Sequence, residues 1–170
     1  MKKTVLIKRE SIEGRVKSLA RKISSDYEDK EPIFIGILNG VIFFFADLVR
    51  ELSIPAKIDF MRAASYGTGM TSSGEIKISK DVEIPIEDKD VILVEDIVDS
   101  GLTLKEMIKG LESRAPRSIK TCVLINKLER RDVDVSIDYC GFEIEKGFLV
   151  GYGLDYDEKY RNLPDIYTLE

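Results

Sequence analysis

The thirteen residues 91–103 (VILVEDIVDSGLT) constrain this chain more than any other stretch. Four apolar residues, 91–94, are bounded by charge on both sides, which is typical of a short buried strand. Three carboxylates follow (Glu95, Asp96 and Asp99), and then a small, hydroxyl-rich turn, 100–103, begins a helical pattern. This order predicts acidic side chains at the end of a strand, beside a helix N-terminus whose N–H groups attract anions. A sugar phosphate, which offers both hydroxyls and a phosphate, fits such a site.

Strands and helices alternate along the rest of the chain. Apolar residues at helical spacing predict helices at 11–23, 41–52 and 102–111, and apolar or alternating runs predict strands at 33–38, 57–64, 75–80, 91–94 and 119–125. The tail from 148 to 169 predicts a short strand followed by turns. This order is typical of an α/β domain with a mostly parallel sheet flanked by helices. Ligands of such sheets bind beyond the carboxyl ends of the strands.

Composition excludes several kinds of chemistry. The chain has no histidine, so Ser-His-Asp catalysis, Cys-His catalysis and His-ligated metals are all excluded. A metal would have to be a hard cation on oxygen ligands, and Mg²⁺ is the natural choice. The net charge of −5 disfavours nucleic acid as a partner.

Location is also constrained by composition. No apolar run approaches the roughly 20 residues that span a bilayer. Residues 1–8 contain only three consecutive apolar residues, too few for the core of a signal peptide. Cys122 and Cys140 form no C-x-x-C pair, and Cys122 is predicted to be a buried strand residue. We therefore expect a cytoplasmic protein that binds no membrane.

Residues 94–103 resemble the phosphoribosyl-pyrophosphate motif of the type I phosphoribosyltransferases. The whole chain resembles their hypoxanthine-guanine branch, through separate blocks in the expected order from about 33 to 163. The resemblance implies a twisted, mostly parallel sheet with a small hood built from the N- and C-terminal segments. It further implies one domain over 1–170, a flexible lid at about 65–76, and a homodimer or homotetramer.

The resemblance assigns roles to the acidic segment. Glu95 and Asp96 would hold the ribose hydroxyls, partly through Mg²⁺, and the turn 100–103 would wrap the 5′-phosphate with N–H and hydroxyl donors. Asp99 would be the general base that takes the proton from N7 of a purine as the ring attacks C1′ of the ribose. The predicted phosphoribosyl-binding residues are Glu95, Asp96, Ile97, Val98, Asp99, Ser100, Gly101, Leu102 and Thr103.

Purine recognition is implied at Lys127, Phe148, Leu149 and Asp155. Taken alone, Lys127 would be a solvated surface residue and Phe148 a core aromatic. By resemblance, Phe148 would stack on the base and the Leu149 backbone would contact its edge. An ammonium only donates hydrogen bonds, so Lys127 would pair with a 6-oxo group and oppose the 6-amino group of adenine.

Further positions are implied for pyrophosphate, metal and lid. Pyrophosphate would bind at Leu38, Asn39, Gly40 and Arg161, although many family members have lysine where this chain has Asn39. The implied Mg²⁺ ligands are Glu95, Asp96 and Asp155, and the implied lid residues are Ser65 and Tyr66.

The resemblance, together with these observations, implies a purine-salvage transferase. It would move a 5-phosphoribosyl group from phosphoribosyl pyrophosphate to N9 of hypoxanthine or guanine, and would release IMP or GMP and pyrophosphate. Two alternatives stay open: a transferase of the same fold for xanthine or another base, and a non-catalytic regulator on this fold that binds RNA.

Overall fold

The computed structural model describes residues 1–65 and 76–170. Their elements in chain order are β1 (Lys3–Ile7), α1 (Arg9–Asp26), β2 (Ile33–Leu38), α2 (Ile42–Arg50), β3 (Lys57–Ser65), β4 (Ile76–Lys80), β5 (Asp90–Val98), α3 (Leu102–Glu112), β6 (Ser118–Lys127), β7 (Tyr139–Ile144), β8 (Leu149–Val150) and β9 (Ile166–Leu169). No helix within these two ranges is long and apolar enough to span a bilayer.

Six strands form the main sheet, in the order β4-β3-β2-β5-β6-β7. Only the β3–β4 pair is antiparallel, so the predicted mostly parallel α/β sheet is confirmed. β5 lies between β2 and β6, with Val94 in register with Gly36 on one side and Cys122 on the other. The segments that follow these strands therefore meet at one edge of the sheet.

The sheet is buried on both faces because each of its central strands contains an unbroken run of apolar residues, 33–38 in β2, 91–94 in β5 and 122–125 in β6. In β5, Ile92 and Val94 belong to a core shared with α1 and α2. Val91 and Leu93 point to the other face and pack in a second core with α3. This alternation is the period-2 geometry of a strand, and continuous burial of both faces is typical of parallel sheets.

The two ends of the chain form a separate three-stranded sheet, the hood, in the order β1-β9-β8. Both of its strand pairs are antiparallel, and Lys3 lies opposite Leu169. The predicted hood of N- and C-terminal segments is thereby confirmed.

Two strands, β5 and β6, are longer than predicted by more than one residue. β5 continues from the predicted end at 94 through Glu95 and Asp96 to Val98, because β6 offers backbone partners along that length. Glu95 and Asp96 are therefore strand residues, and the expectation that they lie at a strand tip was wrong. β6 likewise includes Lys127 as its last residue, where the sequence predicted a position after the strand.

The predicted lid segment, about 65–76, is described only at its ends. Ser65 and Ile76 are paired across the β3–β4 hairpin by their backbones. Tyr66 and the rest of the segment lie outside the described residues, so the lid role of Ser65 and Tyr66 stays a prediction.

Candidate active site

The turn after β5 forms a cavity of about 170 Å³ at the start of α3. Its lining residues are Glu95, Asp96, Ile97, Val98, Asp99, Ser100, Gly101, Thr103 and Leu104. All the residues predicted to bind the phosphoribosyl group line it except Leu102, whose backbone N–H donates to Ser100 Oγ at 3.2 Å. Gly101 has φ +88°, and a Cβ there would lie 3.1 Å from the Val133 carbonyl oxygen, so only glycine suits this position.

Glu95 and Asp96 form a buried acidic pair, 6% and 9% exposed. The Asp96 N–H donates to Glu95 Oε1 at 3.1 Å, and Asp96 Oδ1 accepts from the Ile97 N–H at 2.9 Å. Burial raises the pKa of Glu95, and the adjacent Asp96 carboxylate raises it further. A bound cation, or hydroxyl groups that donate hydrogen bonds, would stabilise the charged form of this pair.

Asp99 and Lys127 are brought together from the ends of β5 and β6. The Lys127 ammonium lies 3.5 Å from Asp99 Oδ2 and its side chain is 7% exposed. Asp99 Oδ1 is buried and has no hydrogen-bond partner among the described residues. A buried acceptor without a partner is uncommon in folded proteins, and here it is free to accept a proton or hydrogen bond from a ligand.

Arg131 is a residue that the sequence analysis missed. Its Nε donates to the Asp99 carbonyl at 3.1 Å, and its Nη2 donates to the carbonyls of Val98 at 3.5 Å and Lys127 at 3.2 Å. The same nitrogen donates to the Asn126 side chain. Arg131 thus ties together the carboxyl ends of β5 and β6, which present Asp99 and Lys127. In the sequence it follows another arginine in a polar stretch, and nothing there distinguishes it from a surface residue.

The segment predicted to bind pyrophosphate packs against the tail of the chain. The peptide bond between Leu38 and Asn39 is cis. A Cβ on Gly40 would collide with the Asp96 carboxylate, and one on Gly153 would collide with the Gly40 carbonyl oxygen. The absence of both side chains lets this loop approach the acidic strand.

Arg161 contacts other residues of the tail. Its Nη1 donates to the Gly153 carbonyl at 2.7 Å, and its Nη2 lies 3.3 Å from Asp155 Oδ1. Of the predicted pyrophosphate residues, Gly40 therefore lies against Asp96 and against Gly153, and Arg161 is bound to Gly153 and paired with Asp155.

At the start of the hood strand β8, the side chains of Phe148 and Leu149 differ in their exposure to solvent. Leu149 is buried, whereas Phe148 is half exposed and meets the Tyr156 ring edge-on, with centroids 5.6 Å apart. Gly147, just before Phe148, has φ +118°. An exposed aromatic face at this position is suited to stacking on a planar ligand.

The three predicted metal ligands do not form one cluster. Within residues 1–65 and 76–170, no group of three or more histidine, cysteine or acidic residues is arranged to hold a metal. Glu95 and Asp96 are adjacent, but Asp155 is paired with Arg161. Mg²⁺ commonly takes only one or two protein carboxylates and completes its shell with substrate oxygens and water, so the pair at 95–96 still fits it.

The fold and the site define a class of protein. The family model described as phosphoribosyl transferase domain matches residues 6–157, and the chain belongs to this family.

The individual relatives are more specific. The chain is 50% identical to the hypoxanthine-guanine phosphoribosyltransferase of Aquifex aeolicus over 98% of this chain and 94% of that protein. It is 45% identical to the hypoxanthine phosphoribosyltransferase of Salmonella typhimurium over 94% of this chain and 91% of that protein. A crystal structure of a Bacillus anthracis hypoxanthine-guanine phosphoribosyltransferase superposes with a TM-score of 0.93, at 43% identity and with 98% of each chain covered.

Proposed function

We propose that this chain transfers a 5-phosphoribosyl group from phosphoribosyl pyrophosphate to N9 of hypoxanthine or guanine, giving IMP or GMP and pyrophosphate. The observation that supports this most directly is the pairing of Lys127 with Asp99 beside the cavity after β5. It places a hydrogen-bond donor for a 6-oxo group next to a carboxylate that can accept a proton. The named activities of the relatives agree with it.

The phosphoribosyl group would lie in the cavity after β5. The N–H groups at the start of α3 and the hydroxyls of Ser100 and Thr103 would surround the 5′-phosphate, and the helix dipole adds to the attraction. Glu95 and Asp96 would accept hydrogen bonds from the ribose hydroxyls. Each role follows from donor and acceptor chemistry of the residues that line the cavity.

The purine would lie between Phe148 and Lys127. Phe148 would stack on the base with its exposed face, the Leu149 backbone would contact the base edge, and Lys127 would donate to the 6-oxygen. Asp99 Oδ1, buried and without a partner among the described residues, would accept the proton from N7 as N9 bonds to C1′ and the bond to pyrophosphate breaks. Arg161, held by its bond to Gly153, would bind the leaving pyrophosphate with Leu38, Asn39 and Gly40.

Mg²⁺ is part of the proposal. The buried carboxylates of Glu95 and Asp96 fit a hard cation because their negative charges lie side by side with little solvent. Asp155 would contribute through water. When bound, the ion would neutralise negative charge on the pyrophosphate group.

We also propose a cytoplasmic homodimer or homotetramer. Two free thiols, Cys122 and Cys140, are consistent with a reducing compartment. Light scattering on the purified protein would give the number of subunits.

The experiment that tests the function is a turnover assay with phosphoribosyl pyrophosphate and Mg²⁺, in which hypoxanthine, guanine, xanthine, adenine and uracil are offered separately. Turnover of hypoxanthine or guanine with adenine and uracil inert is expected: Lys127 has no acceptor capacity for the 6-amino group of adenine, and uracil lacks the purine N7 and N9 on which the proposed transfer depends. Preference for adenine or uracil would contradict the proposed base pocket. No turnover with any base would favour a binding protein, and RNA would be tested next.

A further inference from the structure

Glu129 lies beside the proposed purine site and joins two of its parts. Its Oε2 is 3.6 Å from Lys127 Nζ and accepts a hydrogen bond from the Gly147 backbone N–H at 3.3 Å. Lys127 is therefore flanked by two carboxylates, since Asp99 Oδ2 lies 3.5 Å from the same nitrogen. One oxygen of Glu129 thus connects the end of β6 with the backbone that immediately precedes Phe148.

The position of the Lys127 ammonium depends on this pair of carboxylates. An ammonium has three N–H donors on a flexible stem, so its partners decide where it points. Contacts to Asp99 and Glu129 leave a donor for a third acceptor, such as the 6-oxygen of a purine. Without Glu129 the ammonium would be drawn toward Asp99 alone, and the donor would leave the position that a base could reach.

The second contact of Glu129 acts on the aromatic side of the pocket. Gly147 has φ +118°, a conformation that glycine adopts readily, and its N–H is held by Glu129. Phe148 follows directly, with its ring half exposed and edge-on to Tyr156. The hydrogen bond therefore helps to fix the direction in which the Phe148 ring leaves the backbone.

Resting on the proposed function, we propose that Glu129 is a positioning residue for 6-oxopurines, which sets the Lys127 ammonium and the Phe148 ring in one arrangement. The charge of Glu129 suits this role. The Gly147 hydrogen bond is the main cause that lowers the pKa of Glu129, and the Lys127 ammonium lowers it further, so the carboxylate is charged at neutral pH.

The test compares Glu129→Gln with Glu129→Asp, which keeps the charge on a shorter stem. Glu28→Gln, at an exposed glutamate just after α1, is the matched control. We expect Glu129→Gln to raise KM for hypoxanthine about fivefold, a size typical of a partly exposed ion pair. KM for phosphoribosyl pyrophosphate and the melting temperature should stay near their wild-type values, because Glu129 contacts neither the cavity after β5 nor the core. Glu129→Asp should recover part of the loss, and Glu28→Gln should show none.

Three outcomes would overturn the inference. An unchanged KM for hypoxanthine in Glu129→Gln, which keeps an oxygen for the Gly147 N–H but loses the charge, would show that the Glu129 carboxylate does not position Lys127. A parallel rise in both KM values with a lower melting temperature would show a structural role only. A wild-type protein that turns over neither hypoxanthine nor guanine would contradict the proposed function, and the inference with it. Normal wild-type turnover with an unaffected Glu129→Gln variant would contradict the inference alone.

Discussion

At the scale of single residues, the proposed chemistry depends on the contact between the Asp99 carboxylate and the Lys127 ammonium. They are 28 positions apart in the chain and are brought to 3.5 Å by the neighbouring strands β5 and β6. Lys127 occupies one oxygen of the carboxylate, and the other oxygen is buried without a partner among the described residues. A ligand that brings its own N–H to that oxygen would satisfy it.

Asp99→Asn tests the role of that carboxylate. The amide keeps the shape of the side chain but cannot take up a proton, so we expect kcat to fall by about 10²–10⁴. Binding of phosphoribosyl pyrophosphate should be largely retained, because the surrounding cavity donors remain. Steady-state kinetics and equilibrium binding measure the two effects, and Asp134→Asn, at an exposed aspartate, is the control. Near-normal turnover in Asp99→Asn would contradict the assignment.

At the scale of elements, the site depends on segments that follow β6 and β8. Arg131 ties the ends of β5 and β6 together, and the backbone N–H groups of Asp132 and Val133 donate to the Ser100 carbonyl at 2.9 and 3.2 Å. The cavity after β5 is therefore braced from outside its own strand and helix.

Arg131→Ala removes this brace. The loss of hydrogen bonds to partly buried backbone carbonyls should lower the free energy of unfolding by about 1–3 kcal/mol. KM for phosphoribosyl pyrophosphate should rise, because the Asp99 backbone loses its support. Urea denaturation and kinetics measure both, with the exposed neighbour in Arg130→Ala as control. Equal behaviour of the two alanine variants would contradict the proposed brace.

A second test concerns the close contact between Gly40 and Gly153 in the tail. Gly153→Ala places a Cβ against the Gly40 carbonyl at a residue with φ +98°, so we expect loss of stability and a rise in the inhibition constant of pyrophosphate. Gly14→Ala, in α1 with open space around it, should instead stabilise the protein by about 0.5–1 kcal/mol. Thermal melts and pyrophosphate inhibition check the pair, and a tolerated Gly153→Ala would show that the loop can move away.

The elements that could be predicted from sequence are those with strong local patterns. β2 and the first half of β5 are continuous apolar runs, and the glycines and acids after them mark the site. The strands β1 and β9 were not predicted, because each is short and owes its pairing to a distant partner, as Lys3 does to Leu169. The strand β7 was not predicted because Gly141 and Glu143 interrupt its apolar pattern, and its pairing with β6 defines it. Glu95 and Asp96 have poor strand propensity, and only their pairing with β6 shows that β5 continues through them. Arg131 and Glu129 are likewise defined by contacts across space.

At the scale of the whole molecule, the two edges of the sheet differ in role. The carboxyl edge carries the site, whereas Asp90 starts β5 at the opposite edge and is bound by Arg117 at 2.6 Å and the Ser118 hydroxyl at 2.7 Å. The Arg117 hydrogen bonds lower the pKa of Asp90 to about 2. This ion pair should stabilise the fold without acting on the chemistry.

Asp90→Asn tests this division. An Asp with a lowered pKa contributes stability above its unfolded pKa of 3.8, and the contribution is lost as pH falls toward about 2. We expect the variant to lose about 1–2 kcal/mol at pH 7, since Arg117 is largely exposed and solvent screens the pair. Urea titrations at several pH values should show the deficit shrinking below about pH 4, with kcat and KM unchanged. A deficit that is constant with pH would contradict the electrostatic origin.

The measurement that tests the central claim most directly is product analysis of the wild-type protein supplied with phosphoribosyl pyrophosphate, hypoxanthine and Mg²⁺. Chromatography with a pyrophosphate assay should show one IMP formed for each pyrophosphate released, and neither product should form when hypoxanthine is left out. Pyrophosphate released without IMP, or no consumption of either substrate, would contradict the proposed transfer.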